Sequence, residues 1–242
     1  MTTESTAGVL RVAHCSDIHL AGDHHGADYY KDGFIAVLAA ARARQPGLLM
    51  LAGDLFDSNT ADDGTIAWAM DVLDSQPYPV VMIPGNHDCL EAGAIYHRFD
   101  FDALPNVHML SAPAGEVRCL EGLDVAVWGK GMVDHCADYE PVLGAPPRPE
   151  GVQWYLGLGH GIYVPHGAET GRSSPIHARD IASSPCDYLA LGHHHAALEV
   201  HDGDTAAAYC GSPTDTIGAG PTYAVVDLFP HRRPAVQISL VE

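Results

Sequence analysis

Five short clusters of carboxylate, amide and imidazole side chains recur along the chain, each just after an apolar run. They are Asp17-Ile18-His19, Gly53-Asp54-Leu55-Phe56-Asp57, Gly85-Asn86-His87-Asp88, Gly159-His160 and Gly192-His193-His194-His195. Asp17 and His19 are spaced by two, as are His193 and His195, so at an extended strand end both members of a pair point the same way. A glycine just before a polar residue lets the backbone turn sharply and approach an ion. The donor set offers oxygen and imidazole nitrogen but no thiolate, which suits hard-to-borderline divalent ions such as manganese, iron, zinc or magnesium. Any one cluster alone is an ordinary polar turn, but five in one order point to a metal centre.

The elements that must carry these clusters alternate in the first half. Strands are expected over VLRVAHCSD, LLMLAGD and VVMIPGNHD, with helices over YKDGFIAVLAAARAR and TIAWAMDVLDSQ between them. In the first helix Phe34, Val37, Leu38 and Ala41 fall on one stripe. Strands that each end in a carboxylate or amide indicate parallel βαβ units with a site at their carboxyl ends. The second half reads as short β runs separated by turns, and the proline-rich stretch 138–151 as a surface loop. A two-sheet α/β sandwich forming one domain over residues 8–242 is expected, with residues 1–7 a flexible N-terminus.

Composition narrows the function classes. The 242 residues carry 31 acidic and 12 basic side chains, a net charge of −19 with histidine neutral. Only Lys31 and Lys130 are lysines, which disfavours a protein that coats long nucleic acid through phosphate contacts. The six cysteines form no Cys-x-x-Cys pair. The opening MTTESTAGVLRVAH lacks signal-peptide features, and no run is apolar for long enough to span a bilayer. Reduced cysteines in a cytoplasmic protein without membrane attachment are therefore expected.

In chain order the clusters spell D-x-H, G-D-x-x-D, G-N-H-[DE], H and G-H-x-H. Over residues 17–195 the chain thereby resembles the calcineurin-like metallophosphoesterase superfamily. The words HCSDIHL, LAGDLFDSN and AAYCGSPTD are most similar to its branch of SbcD-type DNA repair exonucleases. The resemblance implies a four-layer α/β/β/α sandwich of two mixed sheets holding two divalent ions. Manganese comes first, with iron, zinc, magnesium or nickel as alternatives. Carried over residue by residue, it implies that Asp17, His19, Asp54 and His195 bind one ion. Asp54 then bridges to a second ion, completed by Asn86, His160 and His193. A hydroxide between the ions, in line with phosphorus, is the implied nucleophile. His87 matches the catalytic histidine, which contacts phosphate and protonates the leaving oxygen. Asp57 matches the position whose side chain orients that histidine, and Asp88 looks like a further support.

Departures from the pattern bear on the substrate. Protein Ser/Thr phosphatases of this superfamily carry arginine after the second aspartate of G-D-x-x-D, whereas Ser58 and Asn59 stand here. Without that bidentate cation a diester is favoured over a dianionic monoester. The segment after His195 reads as strands closing the second sheet, so the capping domain of the exonuclease branch is expected to be absent. The resulting expectation is a phosphodiesterase acting on a nucleotide or small phosphodiester. An SbcD-like DNA or RNA exonuclease is the alternative, and a non-catalytic scaffold a more distant one. His194 should point away from the ligands flanking it, and His14 and Cys15 should lie in the core. Asp23, His24 and His25 read as a solvated loop. His97, His108, His135, His166, His177, His201 and His231 read as ordinary. Cys89 has no base beside it to make a nucleophile.

Overall fold

A computed structural model describes residues 8–214 and 217–241, and the expected flexible segment 1–7 lies outside the described residues. The first half alternates β1 (Leu10–Cys15), α1 (Ala27–Ala43), β2 (Leu48–Ala52), α2 (Asp63–Asp74), β3 (Val80–Ile83), the short α3 (Ile95–Arg98) and β4 (Val107–Met109). Then come β5 (Glu116–Leu120), β6 (Val125–Gly129), β7 (Trp154–His160), β8 (Ile162–Val164), β9 (Pro175–His177) and α4 (Ala178–Ala182). The chain continues through β10 (Tyr188–Gly192), β11 (Leu198–Glu199), β12 (Ala206–Tyr209), β13 (Thr222–Leu228) and β14 (Ala235–Leu240).

Two six-stranded sheets result, ordered β14-β13-β1-β2-β3-β4 and β11-β12-β10-β7-β6-β5. Both are mixed: β1 to β4 run parallel, with β13 antiparallel to β1 and β14 antiparallel to β13, while β6, β7, β10 and β12 run parallel between antiparallel β5 and β11. The run Leu48-Leu49-Met50-Leu51-Ala52 shows why. All five side chains are buried, as a central parallel strand covered on both faces requires. Leu48, Met50 and Ala52 enter the layer between the sheets, against Leu156, Leu158 and Ala190. Leu49 and Leu51 face the opposite way, toward the buried stripe Phe34, Val37, Leu38 and Ala41 of α1. α2 starts where the Asp62 carboxylate accepts the Thr65 N–H at 2.9 Å, an ordinary N-cap.

The outermost layer over the second sheet is thin. It includes α4, the paired β8 and β9 through Tyr163 and Ile176, and a buried Val142 from the proline-rich stretch, packed with Tyr155, Leu189 and Leu191. Pro141, Pro146, Pro147 and Pro149 leave that stretch no helix-forming run. His14 lies in the inter-sheet layer, fully buried, with Nδ1 2.8 Å from the Tyr188 hydroxyl. β7 and β10 are aligned with His160 opposite Gly192, so the second sheet ends beside the turns that leave β1, β2 and β3.

Candidate metal centre

All five clusters meet at this edge. Asp17 and His19 follow β1, Asp54 and Asp57 follow β2, and Asn86, His87 and Asp88 follow β3. The second sheet supplies His160 at the end of β7, with His193 and His195 just past β10. Asp17 (φ 56°), His19 (φ 56°), Asp54 (φ 52°) and His193 (φ 95°) all take left-handed backbone conformations that side chains other than glycine adopt rarely. Such strain costs roughly 1–3 kcal/mol per residue and persists where surrounding contacts over-determine it. Those contacts are present: the Asp54 carbonyl accepts the N–H groups of Ile18 and His19 at 2.9 and 3.1 Å. The N–H of His193 bonds both Asp17 carboxylate oxygens at 3.0 and 3.1 Å. Glycine is needed beside them, since a Cβ on Gly192 would stand 1.9 Å from the Ala52 carbonyl oxygen.

Two abutting groups of donor atoms form. In the first, Nε2 of His19 and Nε2 of His195 are 3.2 Å apart. Asp17 Oδ1 lies 3.7 Å from His195 Nε2, and Asp54 Oδ2 lies 3.9 Å from His19 Nε2. In the second, His160 Nε2 lies 3.2 Å from Asp54 Oδ2 and 3.0 Å from Asn86 Oδ1. Asn86 Oδ1 is also 2.8 Å from Nδ1 of His193. Asp54 Oδ2 therefore belongs to both groups. Combinations of Asp17, His19, Asp54, His160 and His195 qualify as clusters that could hold a metal ion. His87 approaches His19 and Asp54 closely enough to be counted with them.

The hydrogen bonds behind the donors suit a cation. His160 Nδ1 lies 2.7 Å from the Ala52 carbonyl, which only accepts, so the proton sits on Nδ1 and the Nε2 lone pair faces inward. His19 Nδ1 lies 3.0 Å from Asp57 Oδ1, which fixes the same tautomer. Lone pairs and carboxylate oxygens thus converge from several sides, an arrangement that a positive charge must satisfy. A proton can do so in place of an ion. Burial opposes a charge on His160, but Asp54 outweighs it and holds the imidazole at a pKa of about 9. Burial likewise acts to raise the Asp54 pKa, and His160, His19 and His87 together pull it well below the usual carboxylate range. His193 goes the other way, pushed down to about 3 by burial and then by His160.

The residues expected to support catalysis flank the donor atoms. His87 is 42% exposed at the mouth, with Nδ1 2.8 Å from the Asp57 main-chain carbonyl and its own N–H on Asp54 Oδ1 at 2.9 Å. The Asp57 carboxylate lies 3.8 Å from the same Nδ1, farther than the main-chain carbonyl, and is hydrogen-bonded to His19. Asp88 does not reach the donor atoms. Fully buried, it accepts the Gly85 N–H at 2.7 Å, the Phe56 N–H at 3.1 Å and the Tyr96 hydroxyl at 2.7 Å, and so clips the loop after β3 to the loop after β2.

Some contributors carried no signal in the sequence. Ser212 donates to the Asp17 carbonyl at 2.8 Å and Ser16 to its carboxylate at 2.5 Å. The His135 ring lies edge-on to His193 with centroids 5.6 Å apart. His194 turns away as expected, with Nδ1 on the Ala196 carbonyl. His14 and Cys15 are core residues. Burial pushes the Cys89 thiol pKa up, away from a thiolate nucleophile.

The profile of the calcineurin-like phosphoesterase family matches residues 10–210, and the chain belongs to that family. A probable cyclic nucleotide phosphodiesterase of Moraxella catarrhalis is 34% identical over 79 residues, which is 33% of this chain and 27% of the relative. A second protein so named, from Fibrobacter succinogenes, is 30% identical over 110 residues, covering 39% of this chain and 42% of its own. The chain thus matches less than half the length of these curated relatives. Among solved structures, TT1561 of Thermus thermophilus superimposes with a TM-score of 0.64 at 13% identity, covering 97% of this chain and 100% of that one. GAP50, the anchor in the inner membrane complex of Plasmodium, gives 0.55 at 13% identity, covering 97% and 85%. At such identity the likeness is one of fold.

Proposed function

We propose that the protein is a phosphodiesterase requiring two divalent ions, manganese foremost, with a cyclic nucleotide or a similarly small phosphodiester as substrate. The observation that carries this reading is the position of Asp54 Oδ2, 3.2 Å from His160 Nε2 and 3.9 Å from His19 Nε2, where one carboxylate serves both donor groups. Asp17, His19, Asp54 and His195 would hold one ion, and Asp54, Asn86, His160 and His193 the other. When bound, such ions neutralise charge on the phosphoryl oxygens and acidify the attacking water. His87 would then deliver a proton to the departing oxygen. Its Nδ1–H is committed to the Asp57 carbonyl, which leaves Nε2 as the atom that exchanges the proton.

The diester preference has a local basis. Ser58 bonds the Thr60 hydroxyl at 2.9 Å, and the Asn59 amide bonds the Cys89 carbonyl at 2.8 Å, so neither presents a cation that could clamp a dianionic monoester. Several arginines are paired elsewhere: Arg11 with Asp227, Arg98 with Asp63, Arg118 with Asp102 and Arg148 with Asp187. With the net charge of −19, this favours a short substrate over a long nucleic acid. The names of the curated relatives point the same way and away from the exonuclease alternative. On this reading residues 8–242 work as one catalytic unit. Its free cysteines suit the reducing cytoplasm, and no described helix is long and apolar enough to cross a membrane.

The deciding experiment assays purified protein with Mn²⁺ against bis-p-nitrophenyl phosphate, cyclic nucleotides, dinucleotides and single- and double-stranded DNA ends. Turnover of the small diesters with little action on DNA ends is expected. Inactivity toward every diester, across the divalent metals, would sink the proposal.

A further inference from the structure

His135 sits in the loop after β6 and carries no motif spacing, yet the fold fixes it against the metal centre. The loop is pinned on both sides of this residue. The Leu90 N–H, just past the Gly85–Asp88 cluster, bonds the Met132 carbonyl at 2.7 Å, and the Ser174 N–H bonds the Cys136 carbonyl at 2.9 Å. His135 is thereby presented to His193 with ring centroids 5.6 Å apart and planes at 65°. That spacing is close to those within the two donor groups: 5.3 Å and 74° for His160 with His193, and 5.0 Å and 53° for His19 with His195. The His135 Nε2 is sealed from solvent and has no hydrogen-bond partner among the described residues. Buried polar atoms are almost always paired, so an orphaned imidazole nitrogen on a ring packed against His193 calls for a partner supplied from outside the chain.

We infer that His135 is a further imidazole of the second ion's site, with Nε2 as its donor atom. The inference rests on the two-ion reading above. Without it the second site has one carboxylate, one amide oxygen, which is a weak donor, and two imidazoles. A third imidazole shifts the preference from magnesium toward iron, nickel or zinc. Two further aspects of the structure agree. His135 lies in the loop between β6 and β7 of the second sheet, the sheet that also supplies His160 and His193. Its loop is tied by the Leu90–Met132 bond to the strand-end loop that carries Asn86.

The test uses the full-length protein, stripped with a chelator and titrated with Mn²⁺ by calorimetry and with Co²⁺ by absorption spectroscopy. His193→Ala identifies the step that belongs to the second ion. His135→Ala and His135→Gln should weaken that step by roughly 10–100-fold and alter the cobalt band, leaving the first step in place. His108→Ala, on β4, should change neither step. An unchanged second step in both His135 variants overturns the inference. Equal weakening of both steps also overturns it, since it marks a general structural role. A single ion in the unsubstituted protein would sink the two-ion reading and this inference together. Two ions without diester turnover would instead sink the proposed activity while leaving the metal assignment standing.

Discussion

Asp57 turns its carboxylate to His19 and not to His87: Oδ1 lies 3.0 Å from Nδ1 of the first and 3.8 Å from Nδ1 of the second. Two neighbouring imidazoles are thus set by different parts of one residue, His19 by the side chain and His87 by the main-chain carbonyl. Substitution at position 57 can therefore separate metal binding from proton delivery.

For Asp57→Ala, the first ion's affinity should fall about 10–100-fold, because His19 loses the acceptor that fixes its tautomer. At saturating Mn²⁺ most of the turnover should return, since the carbonyl that orients His87 remains. Calorimetric titration alongside kcat at high metal checks both halves. A turnover defect that no metal concentration rescues would contradict the assignment.

His87→Ala should retain both ions and lose turnover by about 10²–10⁴-fold. The deficit should be larger on a cyclic nucleotide than on bis-p-nitrophenyl phosphate, because an alkoxide needs protonation more than a nitrophenolate does. Rates on the two substrates, with metal content measured on the same samples, give the comparison.

Asp88 predicts a loss of stability. Asp88→Ala strips the acceptor from the buried N–H groups of Gly85 and Phe56, at about 1–3 kcal/mol for each orphaned group. Tyr96→Phe, which removes one hydroxyl contact, should cost about 1 kcal/mol. Urea denaturation in the presence of chelator reads the chain alone.

Buried His14 makes folding sensitive to acid. Burial holds its pKa at about 3 in the folded protein, against 6.5 for an unperturbed histidine. Well above pH 6.5 the ring is neutral in both states. As pH falls below that, the unfolded chain takes up a proton that the folded one refuses, so stability drops until about pH 3. Between pH 7 and pH 5 the loss from this residue should be about 2 kcal/mol. Unfolding free energies from urea titrations of the parent and His14→Gln at the two pH values should diverge by that amount. Parallel losses would refute it.

The sandwich was legible because buried strands such as Leu48–Ala52 are apolar throughout and each stops at a polar cluster. Shared spacing likewise announced Asp17, His19, His193 and His195. The partner of Asp57 was not legible, since spacing along the chain cannot say which of two imidazoles a carboxylate faces across a turn. His135 left no trace either, because its place depends on two backbone hydrogen bonds from distant loops. Asp and His tolerate the left-handed conformations found at Asp17, His19 and Asp54 better than most residues do, but the contacts between loops that impose them cannot be read along the chain. The thin outer layer follows from prolines that were visible, although the way Val142 is pressed into the sheet was not.

The donor atoms are divided between the halves of the molecule, with Asp17, His19, Asp54 and Asn86 on one sheet and His160, His193 and His195 on the other. An ion held among them acts as a rivet through the seam of the sandwich, closing a long span of chain without a covalent bond. At a free concentration a thousand times its dissociation constant it adds about 4 kcal/mol against unfolding. The same atoms that would perform the chemistry would then also hold the two halves of the sandwich together.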